Sequence, residues 1–334
     1  MVFGWVSPCC YGQLGFRQAL PSTNVRMPKP GRPLSPFSRQ ANNAHPPNKI
    51  VAMTSSTQKP TLRMGRIGYL NVLPIYHPLE AGILPHDFEL VSGPPALLNN
   101  MMARGELHVS STSCFEYACR PEQYYLVDDL SIGSRGPVMS VLLLSRVPLD
   151  QLDGQEILIS GETHTSVALL RLLMRDRYKL NVTYSTGQVT PALRGENPPV
   201  AFLAIGDEAL RLRNHANYPY RLDLAEAWRD WTGLPFIFGL WVVSRSAADA
   251  GLFTTDPGAL LRQGRDWGLA HMDVILDLTG HGCPLSRDEL ALYYSKGLVY
   301  SLGEEEQRGL KLFYEKLAAA QMIPAAPPLE FFKL

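Results

Sequence analysis

From Arg63 onward the chain alternates short apolar runs with helix-like segments, and this alternation restricts the fold more than any other feature. "MGRIGYL" (64–70), "LHVSSTS" (107–113), "MSVLLLSR" (139–146), "QEILIS" (155–160), "PVAFLAI" (199–205) and "PFIFGLWVVS" (235–244) read as strands. Between them, "PPALLNNMMARGEL" (94–107) predicts a helix ended by Gly105, since glycine is favoured just past a helix C-terminus. "CFEYACR", "GETHTSVALLRLLMRDRY" (161–178) and the segment after Gly206 read the same way, and the last ninety residues are mostly helical. Alternating β and α units predict an α/β protein with largely parallel sheets. The strongly apolar runs at 139–146 and 235–244 both adjoin small polar residues, as paired crossovers into and out of an inserted lobe would. The expected division is therefore 63–146 plus 241–334 for lobe 1 and 147–240 for lobe 2, with the ligand site in the cleft between them.

Residues 1–62 stand apart. The first sixty hold nine of the 27 prolines and seven Lys/Arg without one Asp or Glu. So many prolines argue against an amphipathic targeting helix, and no continuous apolar run of a secretory signal is present. The expectation is a disordered tail or an extension from a mis-assigned start codon, with Met53 and Met64 as candidate starts. Without this segment the formal charge turns acidic, at 24 basic against 31 acidic residues, which argues against a nucleic-acid partner. No run approaches the eighteen apolar residues of a membrane span. The five cysteines form no CxxC pair and the eight histidines no HxH or HExxH, so neither a metal nor a disulfide framework is expected.

Ligands of open α/β sheets bind outside the carboxyl ends of the strands, and those ends carry a consistent set of small polar groups. Asn71 follows the first strand. Buried without partners, its amide would cost roughly 1–3 kcal/mol. Ser111 and Thr112 end the "ELHV" strand, and Ser134, Gly136, Val138 and Ser140 line "SIGSRGPVMS". His164, Thr165 and Ser166 open one helix, and Gly206 and Asp207 open another. Hydroxyls and exposed N–H groups at helix starts suit an anionic ligand. Each alone reads as an ordinary helix cap or turn residue, and it is their recurrence at five strand ends that favours a ligand. No P-loop, no GxGxxG after a strand and no GxSxG is present, and "GQLGFR" lacks the strand it would need. Trp228 and Trp231 read as packing residues, and Glu304–Glu306 as a helix's first turn.

Taken together, "IGYLNVLPIY", "SIGSRGPVMSVLLLS", "THTSVALLRLL", "AFLAIGDEAL" and "WTGLPFIFGLW", in this order, resemble the chorismate dehydratases of the futalosine route to menaquinone. The resemblance runs from about Arg66 to the C-terminus. It implies the type II periplasmic-binding-protein fold, two α/β lobes with an inter-lobe cleft. It also implies a cytoplasmic hydro-lyase that converts chorismate to 3-[(1-carboxyvinyl)oxy]benzoate. No cofactor, no metal, no nucleic acid and no membrane is expected, and a homodimer is an open expectation. Asn71 and Ser140 match the family's substrate-contacting positions. Ser111, Thr112, Ser134, Gly136, Val138, Thr165, Ser166, Gly206 and Asp207 are expected to line the site. One departure is His108, where relatives more often carry an acid; that position is expected to be structural. The proton-abstracting base is not evident. Asp207 and His164 are the nearest side-chain candidates, and the substrate's own enolpyruvyl carboxylate is the favoured one. A sister dihydroxynaphthoate synthase and a non-catalytic anion-binding protein share the fold and stand as alternatives.

Overall fold

The protein, seen as a computed structural model, is described over residues 61–334 apart from 162, 280–282 and 284. The expectation for the N-terminal extension lies outside these residues. Ten strands occur in chain order: β1 (Arg63–Ile67), β2 (Glu89–Gly93), β3 (Val109–Ser113), β4 (Tyr124–Ser134), β5 (Val141–Ser145), β6 (Glu156–Ile159), β7 (Thr183–Thr186), β8 (Ala201–Ile205), β9 (Tyr220–Asp223) and β10 (Phe236–Ser244). Six helices precede β9: α1 (Leu73–Glu80), α2 (Pro95–Ala103), α3 (Cys114–Cys119), α4 (His164–Leu172), α5 (Val189–Leu193) and α6 (Gly206–Leu212). Six more follow it: α7 (Leu224–Thr232), α8 (Arg245–Asp249), α9 (Pro257–Ala270), α10 (Met272–Thr279), α11 (Arg287–Leu292) and α12 (Glu304–Ala319).

The strands form two five-stranded sheets of matching design, ordered β2-β1-β3-β10-β4 and β7-β6-β8-β5-β9. In each, four strands run in one direction and one, β10 or β5, runs antiparallel between two of them. The sheets are therefore mixed rather than largely parallel, because each takes in one strand that arrives by crossover from the other. The two-lobed α/β architecture holds. Its crossovers, however, lie earlier than the residues 146/147 and 240/241 expected from the apolar runs. β5 pairs wholly within the second sheet and β10 wholly within the first, so the chain passes over at 135–140 and returns at 233–235. Apolar density could not locate these points, since β5 and β10 are buried between neighbours on both edges and read alike. The small and proline-containing segments before them are the true markers.

One continuous apolar core joins the first sheet to α4, α7 and α12, and a smaller one around Phe202 and Tyr218 lies apart on the second sheet. Trp228 is fully buried against Phe236 and Phe313, and its Nε1 donates to the Pro235 carbonyl at 3.1 Å, which secures the return crossover. α7 stops where Gly233 takes φ 73°, so the turn before β10 needs a residue tolerant of the left-handed region. Two predicted helices differ in their ends. The helix read over 161–178 is α-helical only to Leu172 and continues as a π-helical turn over Leu173–Tyr178. α11 likewise passes into a π-turn, Tyr293–Gly297. Such turns are rare and are found disproportionately at functional sites. Among the described residues, no helix is long and apolar enough to cross a membrane.

Candidate active site between the sheets

β1 leaves the first sheet at Ile67 and turns through a short 3₁₀ segment, Leu70–Val72, into α1. Proline near the start of α1 fits this sharp entry, since its fixed φ suits a first helical turn. The turn is held at its backbone from elsewhere in the chain. Tyr294 Oη donates to the Leu70 carbonyl at 3.0 Å and Tyr300 Oη to the Asn71 carbonyl at 2.9 Å. The Leu70 N–H donates to Asp207 Oδ1 at 3.4 Å, from the first turn of α6 in the other lobe. The Asn71 side chain is treated differently: its Oδ1 is buried and has no hydrogen-bond partner among the described residues. Buried acceptors are nearly always paired, so an orphan in an otherwise well-anchored turn calls for an explanation.

The first crossover is equally constrained. Ser134 Oγ donates to the Gly136 carbonyl at 2.9 Å and accepts the Gly136 N–H at 3.3 Å, closing a tight turn. Met139 has φ 65°, a strained value for a residue with a side chain. The Asp223 carboxylate holds it there, accepting the Met139 N–H at 2.7 Å while also capping α7 through Ala225 and Glu226. Burial pushes the Asp223 carboxyl above its usual range, and the N–H groups around it oppose that rise. Strain of this kind persists where the surroundings over-determine it, and such places cluster at sites of function. The next residue is Ser140, 3 % exposed, whose carbonyl accepts the Gly206 N–H at 2.7 Å and whose Oγ accepts from Tyr293 Oη at 3.2 Å.

Two pairs of adjacent residues thus bring Asn71 and Ser140 together. Gly206 holds the Ser140 carbonyl while Asp207 holds the Leu70 N–H. Tyr293 holds the Ser140 hydroxyl while Tyr294 holds the Leu70 carbonyl. Gly206 has φ 55° and faces the ring of Tyr69, so a side chain there would be strained as well as crowded. Burial raises the Asp207 carboxyl above the ordinary Asp value, opposed by the Leu70 N–H and by Arg211.

The other expected site residues divide. Thr165, at the start of α4, accepts the Phe115 N–H at 3.1 Å and so caps α3 across the interface between lobes. Ser166 is buried beside it. Thr112 Oγ1 donates to Asn99 Oδ1 at 2.9 Å within the first lobe. Ser111 Oγ is buried and without an aligned partner, close enough to the Tyr76 phenol to favour its ionised form. Burial outweighs this and pushes that phenol up to about 12. Val138 is buried in the crossover, and Gly136 is partly exposed. His164 is exposed, its ring edge-on to Phe115 at 6.2 Å. His108 is structural: its Nδ1 accepts the Arg63 N–H at 3.0 Å, and burial lowers its pKa. Among the described residues, no group of three or more His, Cys, Asp or Glu could hold a metal ion.

Tyr293, Tyr294, Tyr300 and Asp223 were not singled out by the sequence reading. "LYYSKGLVY" lies some 150 residues beyond Ser140 and reads as ordinary amphipathic helix. Its signal was three tyrosines in eight residues around one glycine, on a segment otherwise destined for packing.

Comparison with known proteins extends the geometry. A family described as "Menaquinone biosynthesis" matches residues 62–319. A chorismate dehydratase of Thermus thermophilus is 28 % identical over 282 residues, covering 79 % of this chain and 96 % of that protein. A 1,4-dihydroxy-6-naphtoate synthase of the same organism is 25 % identical over 275 residues, covering 80 % and 98 %. Among solved structures, the periplasmic aliphatic sulphonate-binding protein of Escherichia coli superposes with a TM-score of 0.58 at 14 % identity, covering 82 % of this chain and 92 % of that one. That likeness is one of fold.

Proposed function

Starting from the menaquinone-biosynthesis family, to which this chain belongs, we propose that it is a chorismate dehydratase, a cofactor-independent hydro-lyase. The observation that carries the reading is the orphaned, buried Asn71 Oδ1, in a turn held by the same two pairs of residues that hold Ser140, in a chain similar to such an enzyme over 96 % of that enzyme's length. Chorismate is a dianionic cyclohexadiene with a hydroxyl at C4 and an enolpyruvyl ether at C3. Loss of the C3 proton and the C4 hydroxyl makes the ring aromatic and gives 3-[(1-carboxyvinyl)oxy]benzoate and one water. The chemistry needs both carboxylates held, the negative charge that develops on the ring carboxylate stabilised, and hydroxide departure assisted.

Preorganised neutral donors meet these needs, because they reorient little as charge develops. In this reading the Ser140 hydroxyl and the first turn of α4, with Thr165 and Ser166, hold the carboxylates. Asn71 positions the substrate's C4 hydroxyl: its orphan Oδ1 can accept from that O–H in the bound substrate, and its amide N–H groups can donate to the oxygen as it departs. The substrate's enolpyruvyl carboxylate takes the C3 proton, the C4–O bond breaks, and hydroxide leaves with that proton as water. The protein supplies shape and orientation, which can account for a large part of the barrier. Ser134, Gly136, Val138 and Gly206 serve by shaping the crossover and the turn that face the substrate. The reading carries with it the expectation of a cytoplasmic enzyme.

Incubating purified protein with chorismate and following it by mass spectrometry tests the proposal. A product lighter by one water is expected. Folded protein that leaves chorismate unchanged would turn the reading toward the sister synthase, the second relative.

A further inference from the structure

The π-turn that ends α11 is seated directly on the crossover that carries Ser140. Gly297, its last residue, has the Val138 carbonyl oxygen 3.2 Å from where a β-carbon would stand and the Met139 sulfur at 3.6 Å. The absence of a side chain lets the two backbones meet. At the other end of the same turn, Tyr293 is 1 % exposed and donates to Ser140 Oγ at 3.2 Å. A serine hydroxyl has one proton and two acceptor positions. With Tyr293 filling one acceptor position and the carbonyl of Ser140 tied to Gly206, the proton is left to point elsewhere, and no described residue accepts it.

We infer that Tyr293 is a positioning residue for the reaction: it holds the Ser140 hydroxyl as a donor to the substrate carboxylate. The inference rests on the dehydratase reading above and adds a residue outside every motif that led to it. A hydroxyl free to rotate would spend much of its time accepting rather than donating, and a dianionic substrate needs donors. Accepting a hydrogen bond also makes the Ser140 O–H a better donor, since chains of hydrogen bonds polarise one another. Burial raises the Tyr293 phenol, the contact with Ser140 opposes that rise, and nearby Tyr294, Asp207 and Cys283 add to it, so it remains a neutral donor across the working range. The π-turn supplies the placement, aiming Tyr293 at the crossover and Tyr294 at the Leu70 carbonyl.

The test is steady-state turnover of chorismate by the full chain and by Tyr293→Phe, Ser140→Ala and the double variant, with thermal melting of each. Tyr293→Phe is expected to lower kcat by about 10- to 100-fold with KM little changed, the scale of a misplaced catalytic group. In the Ser140→Ala background the same change is expected to do almost nothing, because its target is gone. A purely structural tyrosine would cost the same factor in both backgrounds. Turnover of Tyr293→Phe within twofold of wild type, or equal losses in both backgrounds, would overturn the inference and leave the dehydratase reading standing. If the wild-type chain leaves chorismate unchanged, the reading fails and the inference falls with it. Should Tyr293→Phe not fold, 3-fluorotyrosine at position 293 keeps the shape and strengthens the donor. A rise in kcat at constant KM then supports the role, and an unchanged kcat overturns it.

Discussion

Thr112, near the end of β3, and Asn71, in the turn that follows β1, are both polar residues near the carboxyl ends of strands of the first sheet. They differ in what they meet. The Thr112 hydroxyl is spent on Asn99 Oδ1, at 2.9 Å between two buried residues, so it fastens α2 to β3. Asn71 has its backbone fastened by Tyr300 and its side-chain oxygen by none of the described residues. The same contrast separates Ser134, whose hydroxyl is used within its own turn, from Ser140, which accepts one bond and retains a free proton. All four lie near strand ends; what sets apart Asn71 and Ser140, the two proposed to meet the substrate, is unfilled hydrogen-bonding capacity held in a rigid frame.

That contrast breaks most easily at Asn71. Asn71→Ala is expected to reduce kcat/KM on the order of 100-fold or more, the cost of one preorganised polar contact in a buried site. Its melting temperature should match or exceed that of wild type, because the change removes an unpaired buried acceptor and leaves the bonds to the Leu70 and Asn71 carbonyls in place. Calorimetry with paired kinetics checks both halves. A large fall in stability would show that Asn71 is structural after all.

Thr112→Val should give the opposite pattern. It strands Asn99 Oδ1 in a buried place, which costs about 1–2 kcal/mol. Turnover per folded molecule should stay near wild type. Denaturant unfolding measures the first and activity normalised to folded protein the second. A specific loss of turnover would return Thr112 to the site.

Much of this arrangement was legible in the chain. The βα alternation yields the architecture, the apolar runs yield the core strands, and "YLNVLP" with "GPVMS" yields the two facing elements. What the sequence could not yield depends on contacts between distant segments. β5 and β10 look like members of one sheet until their hydrogen-bond partners are known. Ser134 and Ser140 look alike until Tyr293 arrives from over 150 residues away. Asp223 caps α7, and its grip on Met139 follows from how the crossover is strung over the start of that helix. Hydrogen-bonding capacity is visible in a sequence, but whether it has been used is a property of the fold.

The weakest expected effects fall on the two side chains that could compete with the substrate as base. His164→Ala removes only an exposed edge contact to Phe115, and Asp207→Asn keeps an Oδ1 to accept the Leu70 N–H. If the substrate's carboxylate takes the C3 proton, both variants retain turnover to within a few-fold. Loss of turnover with chorismate binding intact would instead identify the missing base. Asp207 also makes a prediction about stability. Its pKa is raised on folding above the unfolded value of about 3.9, so the folded state binds the proton more tightly. Stability is then highest where the carboxyl is protonated and falls as pH rises through the carboxylate range to neutrality. Asn in its place carries no charge to desolvate. Asp207→Asn should melt above wild type at pH 7, and the difference should close as pH falls below about 4, where both side chains are neutral. A difference that instead grows toward low pH would mean that the charged carboxylate stabilises the contact between Leu70 and α6, making Asp207 a latch across the cleft rather than an acid held there at a cost.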